Sequence, residues 1–185
     1  NATPSTAVTI TLDETTAFVS GTRSATGNFA NHFSSATTVY GSDGAGSIAY
    51  ALSLTGTNVA SGLFALDTSD TVTTDSDGIG QGASIVLNKV GNDIVGTVGS
   101  TEYIRLSVDA STGVVTFSQS ANIWHPTAGS SAAALDDSTS LSVASSALKL
   151  VQTVTDADGD SSTADYDLGT ASRLSIKDDG PTAAN

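Results

Sequence analysis

The chain has 185 residues and carries 19 Asp and Glu against 6 Lys and Arg, a net charge of −13. Such an excess of acid repels phosphate backbones and anionic bilayers, so neither nucleic acid nor membrane insertion is expected; it suits carboxylates partly neutralised by bound cations, the alternative being plain solubility. There is no cysteine, which removes disulfides and Cys-based zinc or redox sites, and no apolar run reaches the roughly 18 residues of a membrane-spanning helix.

The first residues, NATPSTAV, lack the charged start and apolar core of a signal peptide. With an end on DDGPTAAN, residues 1–185 read as a single domain cut from a longer protein. Ala7 to Leu12 then alternates, with Val8, Ile10 and Leu12 on one face. Thr15 to Gly46 is longer than a hairpin turn requires and reads as a loop. Ile48 to Leu54 alternates again, followed by a second long loop, Asp67 to Gly82. Ile85–Leu87, Ile94–Val98, Tyr103–Val108 and Val114–Phe117 continue the period of two. Gly91-Asn92 is a hairpin signal, and Asp109 to Gly113 a longer turn. Ser130 to Leu135 has the composition of one short helical turn. Leu141–Val143, Leu148–Val154, Ala164–Leu168 and Leu174–Ile176 complete about ten short runs rich in β-branched residues. Runs of this kind at turn spacings of roughly 8–12 residues predict an all-β fold, an antiparallel β-sandwich, and the acid clustered in its turns is expected to make them calcium-stabilised loops.

The strongest chemical signal follows Val154. Asp156, Asp158 and Asp160 occur at alternate positions, and Gly159 lets a turn fold their carboxylates onto one cation. The three imitate the opening of an EF-hand loop, with Asp167 at its twelfth position, but Ser161 stands where that loop needs Gly and the flanks are strands. A calcium site of another geometry is expected; the alternative is a solvated acidic turn. Asp13-Glu14 follows the first strand and Asp178-Asp179 the last. In a sandwich whose chain ends lie at opposite poles, each pair would hold calcium at a junction with a neighbouring domain, or serve simply as turn chemistry.

Gly41 to Ser47, with Asp43, and Asp75 to Ser84, with Asp75 and Asp77, place Asp among several glycines. Glycine frees consecutive N–H groups to form an anion-holding nest, and Asp beside it holds calcium; together they would receive a carboxylate such as a peptide C-terminus. Flexible hairpin loops are the alternative. Asn122 to Pro126 contains the single Trp, Trp124, expected in or near the core, and His125, read as a satisfied structural histidine because His32 is the only other one. No G-x-S-x-G elbow or acid–base pair is present in the sequence, so no enzymatic activity is expected.

Seven stretches taken together carry a family resemblance: LDET at 12–15, GSDGAGSIAYALSL at 41–54, SGLFALDTSD at 61–70, GASIVLNKVGNDIVGTV at 82–98, FSQSANIWHP at 117–126, LVQTVTDADGDSSTADYDLG at 150–169 and IKDDGP at 176–181. The chain resembles a calcium-dependent domain of the RTX adhesins, which bacteria export by type I secretion, and most of all their peptide-binding domain. The resemblance implies a β-sandwich with several Ca2+ ions on the outside of a bacterial cell, in a protein used for adhesion and biofilm. One ion would meet the C-terminal carboxylate of a peptide on a host or neighbouring cell. It also implies adjacent adhesin domains and a monomeric unit. On that basis the ligand site is expected at Asp75, Asp77, Gly78, Gly80, Gln81 and Gly82. A structural extender whose calcium only stiffens the rod, and a calcium-dependent lectin-like module, are the alternatives.

Overall fold

The computed structural model describes residues 8–33, 40, 42–72, 77–127, 131 and 136–180. Twelve strands are formed among them: β1 (Ile10–Asp13), β2 (Arg23–Asn28), β3 (Ala45–Leu54), β4 (Val59–Leu66), β5 (Gln81–Val90), β6 (Asp93–Val98), β7 (Thr101–Val108), β8 (Val114–Gln119), β9 (Ser138–Ser140), β10 (Leu148–Asp156), β11 (Ser161–Asp167) and β12 (Leu174–Lys177). The helical content of the described residues is one 3-10 turn, Ala30–His32. The short helix expected at Ser130 to Leu135 falls, apart from Ser131, outside the described residues.

One layer is a six-stranded antiparallel sheet in the order β2-β8-β7-β6-β5-β4. The other consists of two three-stranded sheets, β11-β10-β3 and β1-β12-β9. β3 packs across β5, β6 and β7, β1 against β2 and β8, and β9 against β4. The all-β sandwich is therefore present. Its one departure from the antiparallel expectation is the β1–β12 pair, which runs parallel with Ile10 opposite Leu174 and Asp13 opposite Lys177.

The period of two explains the core. Ile85 and Leu87, Ile104 and Leu106, and Val115 and Phe117 alternate inward along β5, β7 and β8 of the six-stranded sheet and are fully buried. Ile10 and Leu12 of β1, Leu148 and Leu150 of β10, and Leu174 and Ile176 of β12 close on them from the facing layer. Gly91 and Asn92 make the two-residue β5–β6 turn, with Gly91 at φ +61, a left-handed conformation glycine adopts without strain. Asp109 to Gly113 turns β7 into β8.

The alternation rule misplaced three segments. β2 lies inside the stretch read as one long loop; RSATGN has no large apolar residue, and Gly27 sits so close to Ile10 that an added Cβ would lie 2.9 Å from its Cγ1. β4 escaped because VASGLFAL breaks its period at Gly62, which takes φ +76. Leu141 and Val143 are buried as expected but outside a strand; β9 lies just before them.

Candidate functional site

Because β1 and β12 are parallel neighbours, their C-terminal ends emerge together. The expectation that Asp13-Glu14 and Asp178-Asp179 occupy opposite poles is overturned: Glu14 N donates to Lys177 O at 3.0 Å. Glu14 also continues the inward period of Ile10 and Leu12, so its side chain is buried at the edge of the core. There Glu14 Oε1 accepts hydrogen bonds from Gln119 Nε2 and from the Ile123 amide, the latter at 3.2 Å. Arg23 Nη1 stands 3.8 Å from the same oxygen, and the Arg23 guanidinium donates to Gln119 Oε1 and Asn122 Oδ1. Burial pushes the Glu14 carboxyl above its usual range, opposed by these hydrogen bonds and nearby charges.

The second oxygen, Oε2, faces His125 Nε2 at 3.9 Å. His125 is not the satisfied histidine expected from sequence. Its side chain is 4% exposed, and neither ring nitrogen makes a hydrogen bond among the described residues. Nδ1 lies 3.3 Å from Asp137 Oδ1, which is likewise buried without a hydrogen bond. Asp178 completes the group: one ligand atom each from Glu14, His125 and Asp178 lie within 4.8 Å of one another. The Asp178 amide donates to Asp137 O at 2.9 Å, which ties the two acidic segments together.

A cleft of about 290 Å³ opens above this group, lined on its polar side by Glu14, Asn122, His125, Asp178 and Asp179 and on its apolar side by Leu66, Ile79 and Trp124. Trp124 is held at three points. Its amide donates to Phe64 O at 2.9 Å, its Nε1 donates to Ile79 O at 2.9 Å, and its ring meets Phe64 edge-on at 6.0 Å. A Cβ on Gly78 would lie 2.3 Å from Trp124 Cζ2, so only glycine lets the loop approach the indole this closely. The expected ligand loop thus borders the cleft, but not as an anion nest. Gly78 N donates to Gln81 Oε1, Gly80 N to Asp70 Oδ2 and Gln81 N to Gly78 O, so these amides are already used within the loop. Gly82 is needed for packing, since a Cβ there would lie 2.8 Å from Ala65 O. Asp75 lies outside the described residues, and Asp77 joins neither acidic cluster.

The second cluster is made of Asp43, Asp156 and Asp158, again with one oxygen each within 4.8 Å of one another. It is exposed and all-oxygen. Gly46 brings the two contributing segments together at the Thr155/Asp156 bulge, where an added Cβ would lie 2.3 Å from Asp156 O. Asp43 therefore stands where Asp160 was expected. Asp160 instead closes the turn through its backbone, donating to Asp156 Oδ1 at 2.8 Å. A hydrogen bond shared with Asp158 first, then the Asp160 and Gly159 amides, hold the Asp156 carboxyl below its usual range. Asp167 takes no part; its carboxylate accepts from the amides of Ser146 and Gly169. Asp13 accepts from the amide and hydroxyl of Thr15, as in an ordinary turn.

Sequence reasoning missed Arg23, Gln119 and Asp137, and underrated His125. A signal existed for two groups: Glu14 prolongs the buried face of β1, and Gln119 that of β8 after Val115 and Phe117. Polar residues at inward positions must find partners, so their pairing near a strand end was open to prediction. Nothing local points to Asp137.

A family model described as a domain of unknown function, DUF5801, matches residues 9–169. No curated protein and no solved structure matches the chain. The chain belongs to the DUF5801 family.

Proposed function

We propose that this DUF5801 domain is a cation-dependent adhesion module of an exported bacterial surface protein of the RTX type, binding the C-terminal end of short peptides on a host or neighbouring cell. The observation that supports this reading is the cleft, where an apolar wall of Leu66, Ile79 and Trp124 stands beside the cation-ligand types of Glu14, His125 and Asp178. A peptide end has the matching chemistry: an apolar side chain for the wall, and a carboxylate for a cation. Without a cation the cleft presents Glu14, Asp178 and Asp179 and repels a carboxylate. Capture must therefore depend on the bound ion, and the spent amides of the 78–81 loop leave the cation as the main attractor. The role is non-enzymatic, and weak single contacts gain strength from many copies per cell.

Calcium has a separate place in this reading. Asp43, Asp156 and Asp158 offer hard oxygen ligands with room for water, which suits Ca2+. Bound there, the ion would lock the β10–β11 turn to the segment before β3. That placement favours a second reading, an extender whose calcium only stiffens a rod of neighbouring domains.

Calorimetric titration with short peptides, each as free acid and as C-terminal amide, tests the proposal in millimolar calcium with trace zinc and again in chelator. Binding of free acids alone, abolished by chelator and by Trp124→Ala, is the expected result. A diverse library that gives no heat, while calcium still raises the melting temperature, transfers the case to the extender.

A further inference from the structure

We infer that Glu14, His125 and Asp178 form a three-ligand site for a divalent transition-metal cation of the zinc class, with Asp137 as the positioning residue behind His125. The inference deepens the reading above by naming the cation of its cleft, and it rests on that cleft holding an ion.

The argument starts from His125. A buried imidazole whose two nitrogens make no hydrogen bond among the described residues has lost its water without replacement there, a cost that calls for a further partner. Nε2 points toward Glu14 Oε2 at 3.9 Å, and Asp178 brings one oxygen within 4.8 Å of a ligand atom of each. Ligand atoms around a tetrahedral zinc stand about 3.4 Å apart, given bond lengths of about 2.0–2.2 Å. Small side-chain movements therefore close the three atoms onto one ion. Glu14 is already oriented for it, because Oε1 is held by Gln119 and Ile123 while Oε2 faces His125.

Asp137 supplies the rest. Its Oδ1 lies 3.3 Å from His125 Nδ1, and its Oδ2 accepts from the Thr127 amide at 3.2 Å. A carboxylate on the far nitrogen of a metal-bound histidine fixes the tautomer and raises ligand basicity. A slight rotation of the ring makes that hydrogen bond. The nitrogen ligand decides the metal class, since imidazole suits zinc and its neighbours in the first row, whereas Ca2+ takes 6–8 oxygens. Three protein ligands leave a fourth position open toward the cleft, where Asn122, Trp124 and Asp179 stand. Water or a carboxylate from a ligand fits that position.

The test strips the full chain with chelator, then titrates ZnCl2 and CaCl2 separately, following melting temperature and the fluorescence of the single Trp, which adjoins His125. Zinc at micromolar concentration is expected to raise the melting temperature and change Trp124 emission, and millimolar calcium alone to leave that emission unchanged. His125→Gln and Asp178→Asn are expected to abolish the zinc response while keeping the calcium-induced melting shift, which also shows that the variants fold. Asp137→Asn is expected to weaken zinc by about 10–100-fold with all three ligands retained. Cobalt substitution is expected to give the visible bands of a four-coordinate site with a nitrogen ligand, lost in His125→Gln. Zinc binding unchanged in His125→Gln, or lost instead in Asp158→Ala, overturns the inference. So does a stripped protein that ignores zinc. Peptide capture that runs on calcium alone sinks the inference but leaves the adhesion reading intact; zinc binding without any peptide capture does the reverse.

Discussion

Gly78 shows how one missing side chain positions the cleft. The indole of Trp124 occupies the space a Cβ would need, and it is fastened to Ile79 O from the same side. Gly78→Ala is expected to displace Trp124, shift its emission to longer wavelength and destabilise the domain by about 1–3 kcal/mol, in the range for overpacked sites. Unchanged emission would show that the loop and the indole are not in register. A second residue-scale expectation concerns Asp109. A hydrogen bond from the Ser111 hydroxyl, then the amides of Ser111 and Thr112, lower its carboxyl to about 2. A carboxyl depressed in the folded state stabilises the fold above its unfolded value of 3.8, and that contribution disappears as pH falls toward about 2. Asp109→Ala should therefore melt lower than the parent at pH 7, with the gap closing between pH 4 and pH 2. A gap that stays constant across that interval would remove the carboxylate from the account. Individual residues of this kind are only half legible in a sequence. Asp109 in DASTG announces its turn, whereas the reason for Gly78 lies in Trp124, far along the chain.

At the scale of elements, the β10–β11 hairpin was the most legible part of the molecule, because strand, turn and acid are contiguous in Leu148 to Asp167. Even so, the third carboxylate of its acidic cluster is not the one the alternation points to. Alternation along DADGD suggested Asp160, but the turn uses Asp160 through its amide, and Asp43 arrives from the chain segment that pairs across β10. Local spacing cannot see a partner strand. The consequence is measurable: Asp43→Ala and Asp158→Ala should each lose most of the calcium-induced rise in melting temperature, whereas Asp160→Ala should keep it. Ion binding to the folded state alone contributes about 2.7 kcal/mol when calcium stands about a hundredfold above its Kd. If Asp160→Ala is the damaging change and Asp43→Ala is silent, the cluster is wrongly composed. β2 gives the opposite lesson. Its inward residues are Arg23, Ala25 and Gly27, so it pairs with β8 along six residues without any apolar alternation for a sequence reader to notice. It earns its position from neighbours: Phe18 stacks on the Arg23 guanidinium at 4.1 Å, and Ile10 fills the space over Gly27.

For the whole molecule, the parallel β1–β12 pair is the decisive connection. It joins the first strand to the last, gathers Glu14 and Asp178 at one end, and makes β12 the central strand of its sheet, between β1 and β9. The family match ends at residue 169, short of this strand. Yet Leu174 and Ile176 are fully buried, and β12 accepts hydrogen bonds that hold both neighbours, from Glu14 N to Lys177 O and from Leu141 N to Leu174 O. Removing either buried side chain should cost about 2–5 kcal/mol, and removing the strand leaves β1 and β9 unpaired over an open core. A chain ending at residue 169 is therefore expected to lose cooperative unfolding, while one ending at residue 180 keeps the melting curve of the full chain. The comparison is made by calorimetry and by amide exchange of Ile10 to Asp13, which should be protected only when β12 is present. A sharp melting transition in the chain ending at residue 169 would place the folding unit within the matched segment, and would reduce the strand that brings Asp178 beside Glu14 to an accessory of the fold.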